Sequence, residues 1–526
     1  TLFRFIGPGK FIPGIRLVIT RRLSSVKGAW GLTPAVDRLR QDFQGLNTRY
    51  HLADGRETPR HYLDSAASTL AMNCARQVAD ELLRYYANTH SQAHFSARIV
   101  NHAYDWAHRQ VLNFVGSSDS RCHVACFAGA GSTASLNRLA RALAAQRPER
   151  NIVLVSLMEH HANDLPHRKH AGQVIHLPLT GETPALGAVD LVALEQLLEH
   201  YRGRVNYVAV SAASNVTGIV NPVHDIAALA HTHGAWVVVD ASQSVAHAPL
   251  SLSDTGAVER ELDAVAFSGH KLYVPGSPGV MVVRRALLAG QEPDELGGGM
   301  VDDVSVNGYQ VTDHFPDREE AGTPNIPGAV QLGAVLNVLQ RIGMAQVHAA
   351  EQRLLRRLLA ELTAIPGVRV YGDPDPDRTP RLGVVSFNLA GLEHGLVAAV
   401  LNDYHNVAVR NGCFCAHPYV RELLKPELWA LDLDPDANDA EALIQPWRGM
   451  VRASLGLYST DEDIEALLTG VRDLLAKPDD YRAQYQADSD GNFRHRTFAV
   501  SAESLFDPES VVERTLAQFS ATLDML

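Results

Sequence analysis

The 526-residue chain is poor in cysteine, in basic charge and in long apolar runs. Its five cysteines are too sparse for a disulfide framework, so we expect a reducing compartment, by default the cytoplasm. The formal net charge of -12, without a sustained basic stripe, argues against a nucleic-acid-binding protein. No uncharged apolar run reaches about 18 residues, which excludes a conventional membrane span. The remaining composition, 46% apolar and 20% charged, is typical of a globular protein with two or three domains.

Acidic residues are missing from the chain before Asp37. We expect residues 1–36 to form a basic N-terminal extension, and we favour a loosely held segment over a transit peptide or a basic arm. The basic residues of this segment are Arg4, Lys10, Arg16, Arg21, Arg22 and Lys27.

Short β-branched runs alternate with helical stretches between about residues 121 and 285. This alternation predicts an α/β domain with a mostly parallel sheet and helices on both faces. The segment from Pro222 to Gly234 is typical of an amphipathic helix that begins with proline and ends at glycine. In such sheets, ligand-binding groups follow the C-terminal ends of the strands. Buried strands are predicted in the runs that begin at Asn151, Val205, Ala235 and Asp263.

The pattern changes after Gly328, where a long helix, expected to break near Gly343, precedes short strands and further helices. This indicates a second, smaller α+β domain. The segment from Asp479 to about residue 491 is predicted to be a solvated connector, followed by one helix from Glu509. The predicted regions are the extension at 1–36, a large domain at 37–330 whose first part can pack with the small domain, a small domain at 331–475 and a C-terminal extension of unassigned role at 476–526.

A carboxylate and a lysine follow two neighbouring predicted strands. Asp240 ends the strand that begins at Ala235, and Lys271 lies just beyond the strand that begins at Asp263. A lysine in this position is costly unless a partner or a covalent bond holds it. The pair matches the needs of pyridoxal phosphate, because the amine forms a Schiff base and the carboxylate keeps the pyridine nitrogen protonated. A structural lysine–aspartate ion pair is the alternative.

Two further segments fit a phosphorylated cofactor. The run from Phe127 to Asn137 predicts a loop entering a helix, where exposed amides, Ser132 and Thr133 would hold a phosphate. His160 follows another predicted strand and is placed to lie flat on a cofactor ring. The neighbouring histidine makes a metal site an alternative, but no second ligand cluster with zinc-like spacing accompanies the pair, so we predict no metal.

Several motifs occur in a fixed order and together resemble the cysteine desulfurases of the class V aminotransferase family, most nearly the SufS-like branch. The resemblance extends from about Tyr62 to Leu474. It implies the type I fold of pyridoxal-phosphate-dependent transferases, in which a large, mostly parallel seven-stranded sheet domain precedes a smaller α+β domain. The motifs are Glu159-HHAN, Ser214-NVTG, Ser268-GHKLY, Glu320-AGTPN, Arg410-NGCFCAHP and Arg452-ASLGLY.

The resemblance implies a role for each matching residue at the cofactor ring. Lys271 would carry pyridoxal phosphate, Asp240 would pair with its pyridine nitrogen, and Gln243 would bond its phenolic oxygen. His160 would stack on the ring.

The resemblance also implies which residues would bind the cofactor phosphate and the substrate. Arg452 would clamp the substrate α-carboxylate through its two-pronged guanidinium. Gly322 and Thr323 would complete the phosphate site of the partner subunit in a homodimer. The other expected phosphate ligands are Thr133, Ser268 and His270, with Ser132 as a weaker candidate, and the other expected substrate-pocket residues are Asn215, Arg410 and His90.

Two cysteines lie in the Arg410-NGCFCAHP motif. The SufS-like spacing assigns the nucleophile to Cys415, five residues after Arg410, while Cys413 occupies a position that is usually not cysteine. A similar Cys-Phe-Cys occurs in molybdenum-cofactor sulfurases. A disulfide between them would close a strained ring, and a metal would need more ligands than His417. We interpret Cys415 as the working thiol and Cys413 as a bystander, with a cooperating or protective thiol and a metal clip as alternatives.

The resemblance therefore implies a pyridoxal-phosphate-dependent desulfurase. L-cysteine would become L-alanine, Lys271 would act as the base, and Cys415 would carry the sulfur as a persulfide to an acceptor, as in iron–sulfur cluster assembly. A cation such as Arg410, His417 or protonated His90 would raise the thiolate fraction of Cys415. The alternatives are a C–S lyase, an epimerase, a kynureninase-like hydrolase or a molybdenum-cofactor sulfurase on the same scaffold, or a noncatalytic sulfur carrier. The acidic stretch from Leu431 to Glu441 and the C-terminal extension leave the acceptor open.

Overall fold

A computed structural model describes residues 32–117, 121–253, 257–429, 447–488 and 492–523. Most of the predicted extension at 1–36 and the whole acidic stretch from Leu431 to Glu441 lie outside these ranges. The first described helix begins at Leu32, and Val36 within it is buried. Within the described ranges, no helix has both the length and the apolar character that a bilayer crossing requires.

The β-strands are numbered in chain order. They are β1 (Arg49–His51), β2 (Glu57–Pro59), β3 (His61–Tyr62), β4 (His123–Ala128), β5 (Ile152–Ser156), β6 (Gln173–Leu177), β7 (Val205–Ser211), β8 (Trp236–Asp240), β9 (Ala264–Ser268), β10 (Gly279–Arg284), β11 (Val301–Ser305), β12 (Gly308–Val311), β13 (Val368–Val370), β14 (Val384–Leu389), β15 (Val407–Ala408), β16 (Arg410–Gly412), β17 (Met450–Ser454), β18 (Tyr485–Ala487) and β19 (Phe493–His495).

The α-helices are numbered in the same way. They are α1 (Leu32–Leu39), α2 (Asn73–Leu83), α3 (Phe95–Phe114), α4 (Gly131–Gln146), α5 (Leu165–His170), α6 (Leu191–His200), α7 (Val223–Thr232), α8 (Arg285–Leu288), α9 (Ile326–Ile342), α10 (Met344–Thr363), α11 (His394–His405), α12 (His417–Trp429), α13 (Asp461–Ala476), α14 (Pro478–Gln484), α15 (Ala502–Leu505) and α16 (Pro508–Leu523).

Seven strands form the large sheet in the order β4–β10–β9–β8–β7–β5–β6. All run in one direction except β10, which is antiparallel to both of its neighbours. The predicted fold class and the four predicted buried strands, β5, β7, β8 and β9, are confirmed. Because these strands are parallel, the residues that follow Ser156, Ser211, Asp240 and Ser268 lie at one edge of the sheet.

Helices cover both faces of this sheet, which explains why its strands are apolar on both sides. Successive residues of β7 point to opposite faces. Val208 belongs to a core that also contains Ile226 of α7, whereas Ala209 belongs to a core that contains Leu136 and Leu139 of α4. The site at the strand ends therefore rests on a sheet that is packed from both sides.

A smaller antiparallel sheet, β13–β14–β17–β16, has its own hydrophobic core. Leucines of α10, α11 and α13 fill this core together with Leu63 from the N-terminal part of the chain. Beside Leu63, β3 pairs in parallel with β15. The N-terminal part of the chain thus packs against the C-terminal sheet.

Gly343 separates α9 from α10. Its φ of 96° lies in the left-handed region, which glycine adopts without steric cost. The predicted break in the long helix near Gly343 is therefore confirmed.

The segment after Asp479 differs from its prediction. Instead of forming a solvated connector, it forms α14 and β18, which place Tyr481 and Tyr485 in the core of the small sheet. The hydroxyl of Tyr485 donates a hydrogen bond of 2.9 Å to Asp403. The prediction was wrong because the surrounding charged residues masked two tyrosines spaced by about one helical turn. The helix predicted from Glu509 is present as α16.

We expect Gly279→Ala to destabilise the protein, because Gly279 packs against the turn that leads into α4. A Cβ atom on Gly279 would lie 2.0 Å from the carbonyl oxygen of Gly131 and 2.3 Å from its carbonyl carbon. The backbone would have to move, so the free energy of unfolding in urea should fall by about 1–3 kcal/mol.

The matched control is Gly308→Ala in β12, where no atom lies within 4 Å of the added Cβ. It should change the free energy of unfolding by less than about 0.5 kcal/mol. Equal stability of Gly279→Ala and the unaltered protein would show that the close approach is not rigid.

Candidate active site

Lys271 lies at the end of the short turn that follows β9. Burial lowers the pKa of its ammonium group, and the carboxylate of Asp240 opposes that shift. Among the described residues, no carboxylate forms an ion pair with Lys271, so the ion pair considered above is not formed. An amine that is destabilised as a cation and left unpaired is suited to react with an aldehyde.

Asp240, the last residue of β8, is 5% exposed. Its Oδ1 accepts a hydrogen bond of 2.9 Å from the backbone amide of Ser242, and its other oxygen has no hydrogen-bond partner within the described part of the chain. Gln243 is buried, and its amide donates to the carbonyl of Ala66 at 2.8 Å, which fixes the side chain. A buried carboxylate with one free oxygen fits a protonated ring nitrogen.

Hydroxyl groups surround the start of α4. The hydroxyl oxygen of Ser268 accepts a hydrogen bond of 2.7 Å from the amide of Ser132, and the two hydroxyls lie 3.2 Å apart. Ala130 precedes the helix and provides no side-chain cap, so the positive end of the helix is open, next to the exposed Thr133. This arrangement fits a phosphate group.

The imidazole of His270 lies beside Lys271. Burial and the positive charge of Lys271 lower the pKa of His270 to about 4. Its Nδ1 lies 3.4 Å from the hydroxyl of Ser68. The ring is therefore neutral near pH 7 and offers a polar contact without adding positive charge.

His160 follows β5 and caps the short turn His161–Asn163. Its Nδ1 accepts a hydrogen bond of 3.0 Å from the amide of Ala162, so the proton of the neutral ring must lie on Nε2. Burial, helped by the charge of Lys271, lowers the pKa of His160 to about 4. Near pH 7 this side chain is a neutral ring that presents a proton at Nε2.

Arg452 lies in β17 and is 3% exposed. Its guanidinium donates to the carbonyl of Asn215 at 3.0 Å and to Asp64 at 3.2 Å, but the buried Nε has no hydrogen-bond partner among the described residues. Burial lowers the pKa of Arg452 to about 10, so the group stays charged. A buried N–H group without a partner is uncommon, and this one is available to a substrate carboxylate.

The two cysteines of the Arg410-NGCFCAHP motif lie in different environments. The thiol of Cys413 donates to the carbonyl of Arg448 at 3.0 Å and packs against the large core, and burial raises its pKa. Cys415 is exposed, and its carbonyl accepts a hydrogen bond of 2.7 Å from the amide of His161. This difference supports the interpretation of Cys415 as the working thiol.

His161 and His417 stack next to Cys415. Their ring centroids are 4.9 Å apart at an interplanar angle of 12°, and Nδ1 of His417 lies 3.1 Å from Nε2 of His161. Burial and the proximity of His417 lower the pKa of His161. In the sequence, His161 is only the second member of a histidine pair, and nothing there predicts its contact with His417.

His90, Gly322 and Thr323 belong to one hydrogen-bonded group, whereas Arg410 lies beside Arg452. Nε2 of His90 lies 3.0 Å from the carbonyl oxygen of Gly322, and Asn88 donates to the hydroxyl of Thr323 at 3.0 Å. Within the described ranges, no hydrogen bond or ion pair joins this group to Lys271 or Arg452. Arg410 is exposed on β16, directly opposite Arg452 in the sheet register.

Glu159 is a functional candidate that the sequence analysis did not single out. Its buried carboxyl group accepts hydrogen bonds from Ser156, from Asn163 at 2.7 Å, and from the amide and hydroxyl of Ser211 at 2.7 and 2.5 Å. Burial nevertheless raises the pKa of Glu159 to about 7. Two sequence signals pointed to Glu159: its position before His160 and the Glu159-HHAN motif, which also contains its partner Asn163. The bonds to Ser156 and Ser211 had no signal in the sequence.

Metal ligation finds no geometric support. In the ranges that the structure describes, no three histidine, cysteine, aspartate or glutamate side chains converge as metal ligands.

The chain is similar to known proteins over most of its length. The family "Aminotransferase class-V" matches residues 61–467. A cysteine desulfurase of Escherichia coli O127:H6 is 32% identical over 448 residues, which cover 84% of this chain and 98% of that protein. A probable cysteine desulfurase of Halalkalibacterium halodurans is 32% identical over 421 residues, which cover 79% of this chain and 93% of that protein.

Solved structures agree with this grouping. The apo structure of a cysteine desulfurase from Thermococcus onnurineus NA1 has a TM-score of 0.70 at 29% identity and covers 84% of this chain and 98% of its own. The cysteine desulfurase CsdA from Escherichia coli has a TM-score of 0.67 at 27% identity and covers 85% of this chain and 99% of its own.

We expect Glu159→Gln to change how stability depends on pH. The folded-state pKa of Glu159, about 7, is above the ordinary value of 4.5, so the folded protein holds this proton more tightly. The resulting stability is complete below pH 4.5 and is lost as the pH rises through 7. Relative to that of Glu159→Gln, the free energy of unfolding of the unaltered protein should fall by on the order of 1–3 kcal/mol across this interval.

Urea unfolding at a series of pH values measures this difference. Glu195→Gln, at an exposed position, serves as the control. Its free energy of unfolding should depend on pH in the same way as that of the unaltered protein. Parallel pH profiles for Glu159→Gln and the unaltered protein would contradict the raised pKa of Glu159.

Proposed function

This chain belongs to the class V aminotransferase family and, within it, to the cysteine desulfurases, and we propose that it transfers the sulfur of L-cysteine to Cys415 and releases L-alanine. The observation that carries this proposal is the position of Arg452. Its unpartnered Nε can bind an amino-acid carboxylate, and Phe414, the residue before the exposed Cys415, packs on its guanidinium.

Members of this family depend on pyridoxal phosphate. When bound, the cofactor supplies an electron sink for negative charge that develops at the substrate α-carbon. The phosphate would lie at the open start of α4, among Ser132, Thr133 and Ser268, with His270 nearby. Gly322 and Thr323 of a second subunit are expected to complete this site in a homodimer.

The side chains around the cofactor ring would each contact a different part of it. The free oxygen of Asp240 would hold the ring nitrogen in its protonated form, and Gln243 would bond the phenolic oxygen. His160 would cover the ring face as a neutral imidazole with its proton on Nε2. Lys271 would hold the aldehyde carbon.

Arg452 would bind the substrate carboxylate, and Asn215 would keep the guanidinium in place through its carbonyl. The amino group of the substrate would first displace Lys271 from the aldehyde carbon. The freed Lys271, whose pKa is lowered by burial, would then take the proton from the α-carbon, since a neutral amine is a competent base. Arg410 and His90, both exposed, are expected to line the substrate pocket.

Cys415 would then attack the sulfur of the substrate as a thiolate. A sulfur–sulfur bond forms as the carbon–sulfur bond breaks, and the bonding electron pair remains with the three-carbon fragment. That fragment takes up a proton at Cβ, recovers the Cα proton from Lys271 and leaves as L-alanine, so no external oxidant or reductant is required. The persulfide on Cys415 would pass its outer sulfur to an acceptor thiol. We propose that this transfer takes place in the cytoplasm and supplies sulfur to a process such as iron–sulfur cluster assembly.

We expect Cys415→Ser to abolish sulfur transfer while the cofactor remains bound, because the hydroxyl is a much weaker nucleophile than a thiolate. Alanine and protein-bound sulfane sulfur, measured together after incubation with L-cysteine, should fall to about 1% or less of the original rate.

Cys413→Ser is the matched control and should retain most of the activity, because its thiol is directed towards the carbonyl of Arg448. Alanine formation by Cys415→Ser at the original rate would refute the assigned role. Pyruvate and ammonia in place of alanine would identify a C–S lyase.

We expect borohydride to fix the cofactor covalently to Lys271 in the purified holoenzyme. Peptide mapping should locate the reduced adduct at Lys271 alone, and Lys271→Arg should give none, because a guanidinium does not form the required bond. An adduct on another lysine, or a purified protein without the coenzyme, would overturn the assignment of the cofactor site.

A further inference from the structure

The loop that carries the thiol has an unusual backbone. Phe414 and Cys415 follow each other with φ values of 52° and 54°, in the left-handed region that residues with a Cβ rarely adopt. Two such residues in succession persist only where surrounding contacts hold them.

Two of these contacts are hydrogen bonds to the backbone of the loop. The side-chain amide of Asn215 donates to the carbonyl of Phe414 at 2.8 Å, and the amide of His161 donates to the carbonyl of Cys415 at 2.7 Å. These bonds hold the peptide groups and leave the side chains of the loop to other contacts.

The third contact involves the aromatic ring of Phe414, which is 8% exposed. The guanidinium carbon of Arg452 lies 4.6 Å from the centroid of this ring, within the range of a cation–π interaction. Arg452 also donates to the carbonyl of Asn215 at 3.0 Å. Asn215, Phe414 and Arg452 thus contact one another pairwise, and we call them the Arg452 brace.

We propose that Phe414 is a positioning residue that couples carboxylate binding at Arg452 to the orientation of the Cys415 thiol. The inference rests on the proposed function, since it takes Arg452 as the carboxylate ligand and Cys415 as the nucleophile. Phe414 is one peptide bond from the thiol-bearing residue, so any movement of the guanidinium on meeting a carboxylate is transmitted through the ring.

The bond between Arg452 and Asp64 makes such a movement part of substrate binding. Arg452 donates to Asp64 at 3.2 Å, while its Nε has no partner among the described residues. A carboxylate that engages Nε together with a terminal nitrogen redistributes these contacts, because a guanidinium binds carboxylates most strongly through two parallel hydrogen bonds. The ring of Phe414 remains against the guanidinium face and so keeps the orientation of the loop that carries Cys415.

Phe414→Leu tests this role because it keeps a large apolar side chain but removes the aromatic face. In the holoenzyme, persulfide formation on Cys415 in a single turnover with L-cysteine, followed by mass spectrometry, should slow about tenfold. The KM for L-cysteine should change by less than about threefold, because Arg452 still binds the carboxylate. Phe414→Tyr, which keeps the aromatic ring, should form the persulfide at about the rate of the unaltered enzyme.

A second measurement separates positioning from general packing and needs no turnover. The rate at which iodoacetamide alkylates Cys415 in the resting holoenzyme should rise about threefold or more in Phe414→Leu, because the loop is released. In an Arg452→Lys background, which keeps the charge but not the planar group, the same substitution should add little. Equal effects of Phe414→Leu in both backgrounds would indicate packing alone and overturn the inference.

Tyr201→Leu, at the remote Arg204–Tyr201 contact, is the control for loss of an aromatic partner and should leave both rates unchanged. Should Phe414→Leu fail to fold, Arg452→Lys alone must accelerate alkylation of Cys415, and an unchanged rate overturns the coupling. No persulfide on the unaltered enzyme would refute the proposed function itself. A persulfide that forms equally fast in Phe414→Leu would refute only this inference.

Discussion

The site depends on a lysine amine that is buried and that forms no ion pair within the described part of the chain. Lys271 follows an apolar strand, where an ammonium group is poorly solvated, and Asp240 lies near enough to act on it electrostatically but forms no ion pair with it. A direct salt bridge would have stabilised the ammonium form and blocked its reaction. The large sheet creates this situation, because parallel β8 and β9 deliver the two side chains to the same edge while remaining separate strands.

The same topology explains how far the sequence could predict the structure. Apolar runs fixed the positions of β5, β7, β8 and β9, and the chemistry of Asp240 and Lys271 could be inferred from the ends of those runs. Gly343 predicted a helix break through its local conformational freedom. These features depend on neighbours in sequence, where periodicity and residue type carry information.

Features that depend on distant residues could not be predicted. Asp64 and Arg452 are 388 residues apart, and nothing in either motif indicates that they bond. The position of the Phe414 ring on Arg452 depends on how the loop folds, and Tyr481 was hidden among charged residues. The partner-subunit roles expected for Gly322 and Thr323 stay predictions, since they concern a second chain.

One further consequence follows from the way the N-terminal part of the chain packs. Leu63 lies in the core of the C-terminal sheet, and its neighbour Asp64 bonds Arg452 on β17. The proposed carboxylate clamp therefore requires residues that are 388 positions apart in the chain. During synthesis on the ribosome, the proposed amino-acid site can form only after β17 has emerged and packed against a segment made hundreds of residues earlier. A nascent or truncated chain that ends before β17 would lack Arg452, the residue proposed to bind the substrate carboxylate.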